Sequence, residues 1–307
     1  MSSQQNFDPP VGIAQTLEPG IRRIVAPNPS PMTFRGTNTY LLGDRDIAVI
    51  DPGPDDDSHL AAILSSLDPG QRVTHILVTH AHKDHAPLAR PLARETGALV
   101  YAFGAAEAGR SSVMQDLAAS GLVGGGEGID TAFAPDVCVP DGARIDRSNW
   151  HLRALHTPGH IGNHLCFSCD GICFTGDHVM GWASSLVSPP DGDLTDFMTS
   201  CAKLQSQAWQ RFYPGHGAPI SDPAGRLDWL ITHRRARETA ILTVLSKRPA
   251  TATEIAALVY EDTPAALLPA ATRNVLAHLI DLAQRRAVAP DDKLHAESEF
   301  YLTPPSS

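Results

Sequence analysis

The stretch Thr79–His85, THAHKDH, holds three histidines and one aspartate within seven residues. The residues before it, RVTHILV at 72–78, are rich in β-branched and apolar side chains and predict a buried strand. Burying an unpaired polar group costs roughly 2–7 kcal/mol, so a packed interior has no use for four of them. Imidazole and carboxylate are ligands of zinc and similar divalent ions. The stretch therefore predicts a metal site at the end of a strand.

Three further segments place a histidine or an aspartate where a predicted strand ends. His160 lies in HTPGH, Asp177 in FTGDHV and His216 in YPGHG. Each is next to a glycine, which lets the backbone turn sharply. A solvated polar loop would explain one such stretch, but four of them at strand ends favour a shared metal site.

Predicted strands and helices alternate along the first two thirds of the chain and indicate an α/β sandwich. From about Arg226 onward the pattern of predicted elements changes to three helices and a short strand-like segment, ESEFYL. We therefore expect a catalytic domain over residues 1–221 and a small helical, winged-helix-like accessory domain over residues 222–307. The alternative for the second domain is a small helical bundle packed on the first.

Composition indicates a soluble globular protein, with 42% hydrophobic and 19% charged residues among 307. The first residues lack the pattern of a signal peptide, and no apolar run is long enough to span a bilayer. Five cysteines, a low and odd number, argue against a disulfide framework. The expected location is the cytoplasm, with no membrane partner. The net charge of −10 disfavours polyanions unless the cleft is locally positive or bound metal makes it so.

The strand-end motifs resemble those of the metallo-β-lactamase superfamily over nearly all of residues 35–220. This resemblance implies an αβ/βα sandwich with two metal ions at one edge. It also implies the ligands: His80, His82 and His160 for the first ion, Asp84, His85 and His216 for the second, and Asp177 as the bridge. Asp51, in VIDPG, matches a residue that orients the metal-binding loop in that family.

The resemblance is closer to the β-lactamase-like protein 2 group, through GTNTYLLG, TPGHIGNH, GDHVMGW, DGDLTDFM, YPGHG and HRRARE. That group has a winged-helix-like C-terminal domain, some members resemble ribonucleases, and related fungal enzymes are thioesterases that release polyketides. This chain departs from the superfamily in DHAPLAR, where many members have Ser-Gly-Gly after the DH. The departure affects the adjacent cleft wall and not the metal ligands.

The implied chemistry is hydrolysis by a hydroxide that bridges two divalent ions, with Asp84 both binding a metal and orienting the nucleophile. Zinc is the expected metal, and iron and manganese are the alternatives. The expected substrate is a small molecule with an acyl bond, a thioester or a lactone. The alternatives are cleavage of single-stranded RNA, hydrolysis of β-lactams and, as the weakest, a non-enzymatic nucleic-acid-binding module. The sequence leaves open whether the protein forms a homo-oligomer.

Several other polar residues are candidates for substrate binding, each with a structural role as its alternative. His164 and His178 flank predicted ligands, and Asn38, in the predicted strand TNTYLLG, could line the cleft. A basic run on the first accessory helix could meet a carboxylate or a phosphate through Arg234, Arg235 and Arg237, or could be a solvated helix face.

Overall fold

The structure is a computed structural model that describes residues 4, 6–124 and 128–304. Its strands are β1 (Gln15–Glu18), β2 (Ile21–Val25), β3 (Asn38–Leu42), β4 (Asp46–Ile50), β5 (Arg72–Leu77), β6 (Leu99–Ala102), β7 (Val137–Cys138), β8 (Arg144–Asp146), β9 (His151–His156), β10 (Leu165–Cys169), β11 (Ile172–Gly176), β12 (Arg211–Pro214), β13 (Ala250–Thr251), β14 (Val288–Pro290) and β15 (Glu299–Leu302). Its helices are α1 (Asp57–Ser65), α2 (Ala89–Thr96), α3 (Ser112–Ala119), α4 (Leu194–Gln205), α5 (Pro223–Leu245), α6 (Ala252–Val259) and α7 (Leu268–Gln284), with a 3₁₀ turn at Ala265–Leu267.

The catalytic part contains two sheets. The first runs in the order β1-β2-β3-β4-β5-β6-β7, and the second in the order β12-β11-β10-β9-β8. In the first sheet, β4 to β7 are parallel neighbours, and in the second sheet β11 and β12 are parallel. The predicted hairpin at Asp170-Gly171 is confirmed between β10 and β11, where both residues have the positive φ that a tight hairpin turn needs.

Side-chain alternation on the strands builds the layers of the sandwich. On β4, Ile47 and Val49 face the helix layer that contains Ile63 and Leu92 of α1 and α2. Other side chains of the same sheet face the second sheet and pack there with Phe167, Phe174 and Tyr213. The outer face of the second sheet packs against α4 and the first part of α5. This αβ/βα order confirms the predicted sandwich.

The C-terminal residues form three helices and a three-stranded sheet in the order β13-β15-β14. Their core joins α5, α6 and α7 with Val288 and Phe300 of that sheet. A capping box begins α6, in which Thr251 and Glu254 each accept from the other's backbone amide. Three helices followed by a small antiparallel wing confirm the winged-helix-like arrangement and rule out a purely helical bundle.

Helix α5 belongs to both parts of the molecule. Leu227 and Leu230, near its start, pack in the core of the second sheet, whereas Ile241 and Leu245, near its end, pack in the C-terminal core. The predicted boundary between residues 221 and 222 stays a prediction, and the helix that follows it bridges the two cores. No helix among the described residues is both long and apolar enough to cross a membrane.

Candidate metal centre

The seven predicted ligands lie at one edge of the sandwich, each just after a strand. The loop after β5 carries His80, His82, Asp84 and His85, while the loops after β9, β11 and β12 carry His160, Asp177 and His216. Six of the seven are buried, and His82 is partly buried. Strands of two different sheets thus bring together residues that are up to 136 positions apart, from His80 to His216.

The first group of side chains contains His80, His82 and His160. Nδ1 of His82 lies 3.0 Å from Nε2 of His80 and 3.0 Å from Nε2 of His160. Nδ1 of His160 donates to the carbonyl oxygen of Leu186 at 2.7 Å, so its Nε2 is the atom that faces the group. A proton on one of three converging nitrogens can form a hydrogen bond to only one neighbour at a time. A cation can accept the lone pairs of all three nitrogens. The group therefore fits a metal ion.

The second group contains Asp84, His85, Asp177 and His216. Nε2 of His216 lies 3.1 Å from Oδ2 of Asp84 and 3.2 Å from Oδ2 of Asp177. Nε2 of His85 lies 3.3 Å from Oδ2 of Asp84. Oδ2 of Asp177 is also 3.9 Å from Nε2 of His160, a member of the first group. Asp177 therefore stands between the two groups, where a bridging ligand would stand.

Asp51 fixes the orientation of the loop after β5. Its Oδ1 accepts from the backbone amide of Thr79 at 2.7 Å, and its Oδ2 accepts from the Thr79 hydroxyl at 2.8 Å. Because that hydroxyl has donated its proton, Nδ1 of His80, 2.9 Å away, donates to the hydroxyl oxygen. Nδ1 of His85 donates to Oδ2 of Asp51 at 2.9 Å. Both rings therefore turn Nε2 toward the centre, as metal-binding histidines do.

Charge is distributed unequally between the two groups. Burial lowers the pKa of His82 to about 3, so the imidazoles of the first group favour the neutral form that binds metals. Burial alone would lower the pKa of His216 as well, but the carboxylates of Asp177 and Asp84 outweigh it and raise that pKa to about 10. Buried carboxylates in the second group thus demand positive charge, which a divalent cation supplies.

The loop before His216 must contain glycine for the groups to meet. A side chain at Gly215 would come within 2.3 Å of Oδ1 of Asp177 and 2.7 Å of Cε1 of His85. The glycine in YPGHG is therefore required by the close approach of two ligands.

Comparison with known proteins agrees with this architecture. The Metallo-beta-lactamase superfamily matches residues 32–234, more than half of the chain. The chain belongs to the metallo-beta-lactamase superfamily. The Beta-lactamase associated winged helix domain matches residues 251–296. This chain is accordingly a metal-dependent hydrolase of that superfamily with an associated winged-helix domain.

Individual relatives of this superfamily hydrolase cover most of its length. The Beta-lactamase-like protein 2 homolog of Drosophila melanogaster is 30% identical over 313 residues, which cover 95% of this chain and 96% of the fly protein. The Atrochrysone carboxyl ACP thioesterase of Passalora fulva is 30% identical over 273 residues, covering 85% of this chain and 74% of the relative. A Beta-lactamase domain protein from Burkholderia ambifaria shares the fold, with a TM-score of 0.80 at 20% identity, and the match covers 97% of this chain and 96% of that one.

Asn38 supports the hydrolase site through the loop that carries a ligand, and it is not among the described residues that line the cavity. It is fully buried, and its Nδ2 donates to the carbonyl oxygens of Pro214 and Gly217, both at 2.9 Å. These carbonyls flank His216, so Asn38 holds the loop that carries this ligand. Nδ2 of Asn38 is thus bonded to the backbone of that loop, and substrate binding by this residue stays a prediction.

His164 and His178 are also buried within the protein. Nδ1 of His164 lies 2.9 Å from Oγ1 of Thr157, and Nε2 of His178 lies 3.6 Å from Sγ of Cys201. Both side chains are fully buried, and among the described residues that line the cavity at the metal groups neither is present. They pack behind the ligand loops, and their direct contact with substrate stays a prediction.

Arg234 is buried rather than solvated. Its Nη1 donates to Oδ1 of Asn274 at 2.9 Å, its Nη2 donates to the carbonyl oxygen of Ser185, and its guanidinium lies over the ring of Phe197 at 5.0 Å. The side chain is 1% exposed. Arg234 therefore joins α5 to α7 and to the loop after β11, and its contact with substrate stays a prediction.

The other two arginines of the basic run differ from Arg234. Arg235 is exposed on the outer face of α5. Arg237 donates to the carbonyl oxygen of Val259 at 2.8 Å and lies 4.3 Å from the ring centroid of Tyr260. Substrate contact by either residue stays a prediction.

Five residues that line the cavity at the metal groups, Ser188 and four others, were not singled out from the sequence. The four others are Met32, Met180, Leu186 and Asp191. Asp191 pairs with Arg110 at 2.7 Å. Met180 and Asp191 lie inside GDHVMGW and DGDLTDFM, two of the motifs on which the family resemblance depends, so those motifs carried the signal.

Proposed function

We propose that this protein is a dinuclear metal-dependent hydrolase of small-molecule acyl bonds, in thioesters or lactones. The proposed ligands are His80, His82 and His160 for one ion, Asp84, His85 and His216 for the other, and Asp177 between them. Two bound ions would supply a nucleophile at neutral pH and a Lewis acid for the carbonyl oxygen of the substrate.

The residues of the site position the attacking water. Oδ2 of Asp84 is engaged by His85 and His216, whereas Oδ1 has no hydrogen-bond partner among the described residues. Because an ionised carboxylate only accepts hydrogen bonds, Oδ1 can accept one from a water and aim its lone pair at the substrate. This arrangement supports the catalytic role predicted for Asp84.

The lining of the cleft is the observation on which the choice of an acyl substrate rests. Beside the ligands, the cavity is lined by the apolar side chains of Met32, Met180 and Leu186, together with Ser188 and Asp191, whose carboxylate is paired with Arg110. Contact with methionine and leucine removes the apolar surface of an acyl substrate from water. The same side chains offer no charge to the phosphates of a nucleic-acid backbone. The thioesterase name of the Passalora fulva relative supports the same choice.

The RNA alternative has less support. A phosphodiester substrate calls for Lys or Arg near the reacting phosphate. Among the described residues that line the cavity, none is Lys or Arg. Arg273, on the adjoining surface, already donates to Ser188 Oγ at 3.0 Å and to the carbonyl oxygens of Val123 and Pro189.

We propose zinc as the metal because imidazole and carboxylate ligands suit it, with iron or manganese as the alternatives. The cytoplasmic location stays a prediction.

The test combines metal analysis with a hydrolysis panel. Protein reconstituted separately with zinc, iron(II) and manganese should bind close to two ions per chain, and the panel contains thioester, lactone, phosphodiester, RNA and β-lactam substrates. We expect turnover of thioesters or lactones that a chelator abolishes. Turnover of RNA or a β-lactam alone, or a metal content near zero after reconstitution, would overturn the proposal.

A further inference from the structure

An apolar groove continues from the metal cavity toward the winged-helix domain. It shares Met32, Met180 and Leu186 with the metal cavity and has a volume of about 190 Å³. We propose that this groove binds the acyl chain of the substrate, that the chain is an unbranched aliphatic one, and that helix α7 sets the length that fits. This inference rests on the proposed acyl-hydrolase function and specifies its substrate class.

The catalytic domain supplies a fixed wall of this groove. Trp182, five residues after Asp177, lines it, and the ring of Phe34 stacks on Trp182 with centroids 5.0 Å apart. Arg226 of α5 donates to the carbonyl oxygens of Met180 and Ala183, both at 2.6 Å. These contacts hold the segment from Met180 to Ala183 in place, so the wall is built before a ligand binds.

The winged-helix domain supplies the opposite wall. Leu267, Ala270 and Ala271 line the groove at the start of α7. Asn274, one turn further along, accepts from the backbone amide of Val187 at 3.1 Å through Oδ1 and so fixes α7 against the loop after β11. The two alanines leave space that larger side chains would fill, so their size determines how much of a chain the groove can take.

The chemistry of the lining selects an uncharged ligand. None of the described residues that line the groove is Asp, Glu, Lys or Arg. A charged headgroup or a phosphate would lose hydration there without gaining a partner of opposite charge among these lining residues. Methionine side chains at the entrance, Met32 and Met180, adapt to a flexible chain better than branched side chains do. Because the groove opens at the metal groups, the part of the substrate inside it is the part attached to the scissile carbonyl.

Kinetics with a chain-length series test this inference. The substrates are the acetyl, butyryl, hexanoyl, octanoyl and decanoyl thioesters of N-acetylcysteamine, with the metal-loaded full chain. Each methylene that enters the groove should raise kcat/KM by about fourfold until the groove is full. Ala270→Phe should lower kcat/KM progressively more for the longer chains, whereas Leu267→Ala should shift the optimum to a longer chain.

The matched control is Ala265→Phe. Ala265 is exposed in the 3₁₀ turn beside the groove and is not among the described residues that line it, so this change should leave the series as in the unmodified protein. Thermal melting establishes that each variant is folded. Equal kcat/KM for acetyl and decanoyl thioesters in the unmodified protein, or the same chain-length profile in Ala270→Phe and Ala265→Phe, would overturn the inference.

A binding measurement separates this inference from the proposed function. Decanoate should quench the fluorescence of Trp182, seen as the difference between the unmodified protein and Trp182→Phe, and Ala270→Phe should weaken that binding at least tenfold. Quenching without hydrolysis of any thioester would overturn the proposed function and support the groove. Hydrolysis without chain-length preference and without quenching would support the function and overturn the groove.

Discussion

Oδ2 of Asp51 lies 2.9 Å from Nδ1 of His85, and the same carboxylate accepts from both the amide and the hydroxyl of Thr79. Asp51→Asn keeps one acceptor for the Thr79 amide but turns an NH2 donor toward His85. We expect metal affinity to fall about 10- to 100-fold, as it does when the partner of a ligating histidine is lost. Competition with a chelator of known affinity measures the change.

Asp46→Asn is the control for that prediction. Asp46 lies in the strand just before Asp51, and its carboxylate pairs at the surface with Arg72 at 2.8 Å. Its replacement should leave metal affinity unchanged. Equal affinity in Asp51→Asn and Asp46→Asn would show that Asp51 does not position the ligands.

Asp177 and Cys169 should respond in opposite ways to replacement by alanine. Asp177 faces ligands of both groups, 3.2 Å from Nε2 of His216 and 3.9 Å from Nε2 of His160. Its loss should lower metal content below two ions per chain and reduce activity on the order of 100-fold or more. Cys169 packs against the core between the sheets, so Cys169→Ala should keep both metal and activity. Metal loss in the cysteine variant would contradict this assignment.

The convergence of the ligands was predictable because it depends on local signals that repeat. Each ligand follows an apolar run that predicts a strand, and the ends of neighbouring strands lie at one edge of the sandwich. Glycines such as Gly215 mark the places where two loops approach closely. The αβ/βα order and the winged-helix domain followed from the family resemblance that the same motifs carry.

The direction of single side chains was less predictable. The buried residues of α5 include Leu227, Leu230, Arg234, Ile241 and Leu245, so Arg234 occupies a position on the apolar stripe of the helix. Its charge indicated a solvated face, whereas its spacing in that stripe indicated burial. The structure shows that Arg234 is buried. The partners of its two Nη atoms lie 40 and 49 residues away, where no local pattern shows them.

Arg234 and its neighbour Arg235 provide a stability test of that burial. Arg234→Ala leaves acceptors on Asn274 and Ser185 without their donor and opens space against Phe197, and we expect a loss of roughly 2–4 kcal/mol in the free energy of unfolding. Arg235→Ala, at an exposed position, should change it by less than about 0.5 kcal/mol. Urea unfolding of the metal-loaded proteins measures both, and similar losses in the two variants would contradict the structure.

His278 of α7 should make stability depend on pH. Its side chain is 1% exposed, and neither ring nitrogen has a hydrogen-bond partner among the described residues. Burial lowers its pKa to about 3, and the positive charges of Arg234, His233, Arg285 and Arg237 act in the same direction. The unfolded chain takes up a proton near pH 6.5, whereas the folded protein does not do so until about pH 3. Stability therefore falls as pH decreases through this window, by up to about 1.4 kcal/mol per pH unit.

The variant His278→Leu removes this titration and fills the site with an apolar side chain. The difference in unfolding free energy between His278→Leu and the unmodified protein should grow as pH is lowered from 7 to 4, because the metal ligands titrate alike in both. The same measurement on His151→Gln, which replaces a histidine at an exposed position, is the control. Urea unfolding at half-unit steps of pH measures the differences, and a pH-independent gap for His278→Leu would mean that the buried ring is protonated or solvated in the folded protein.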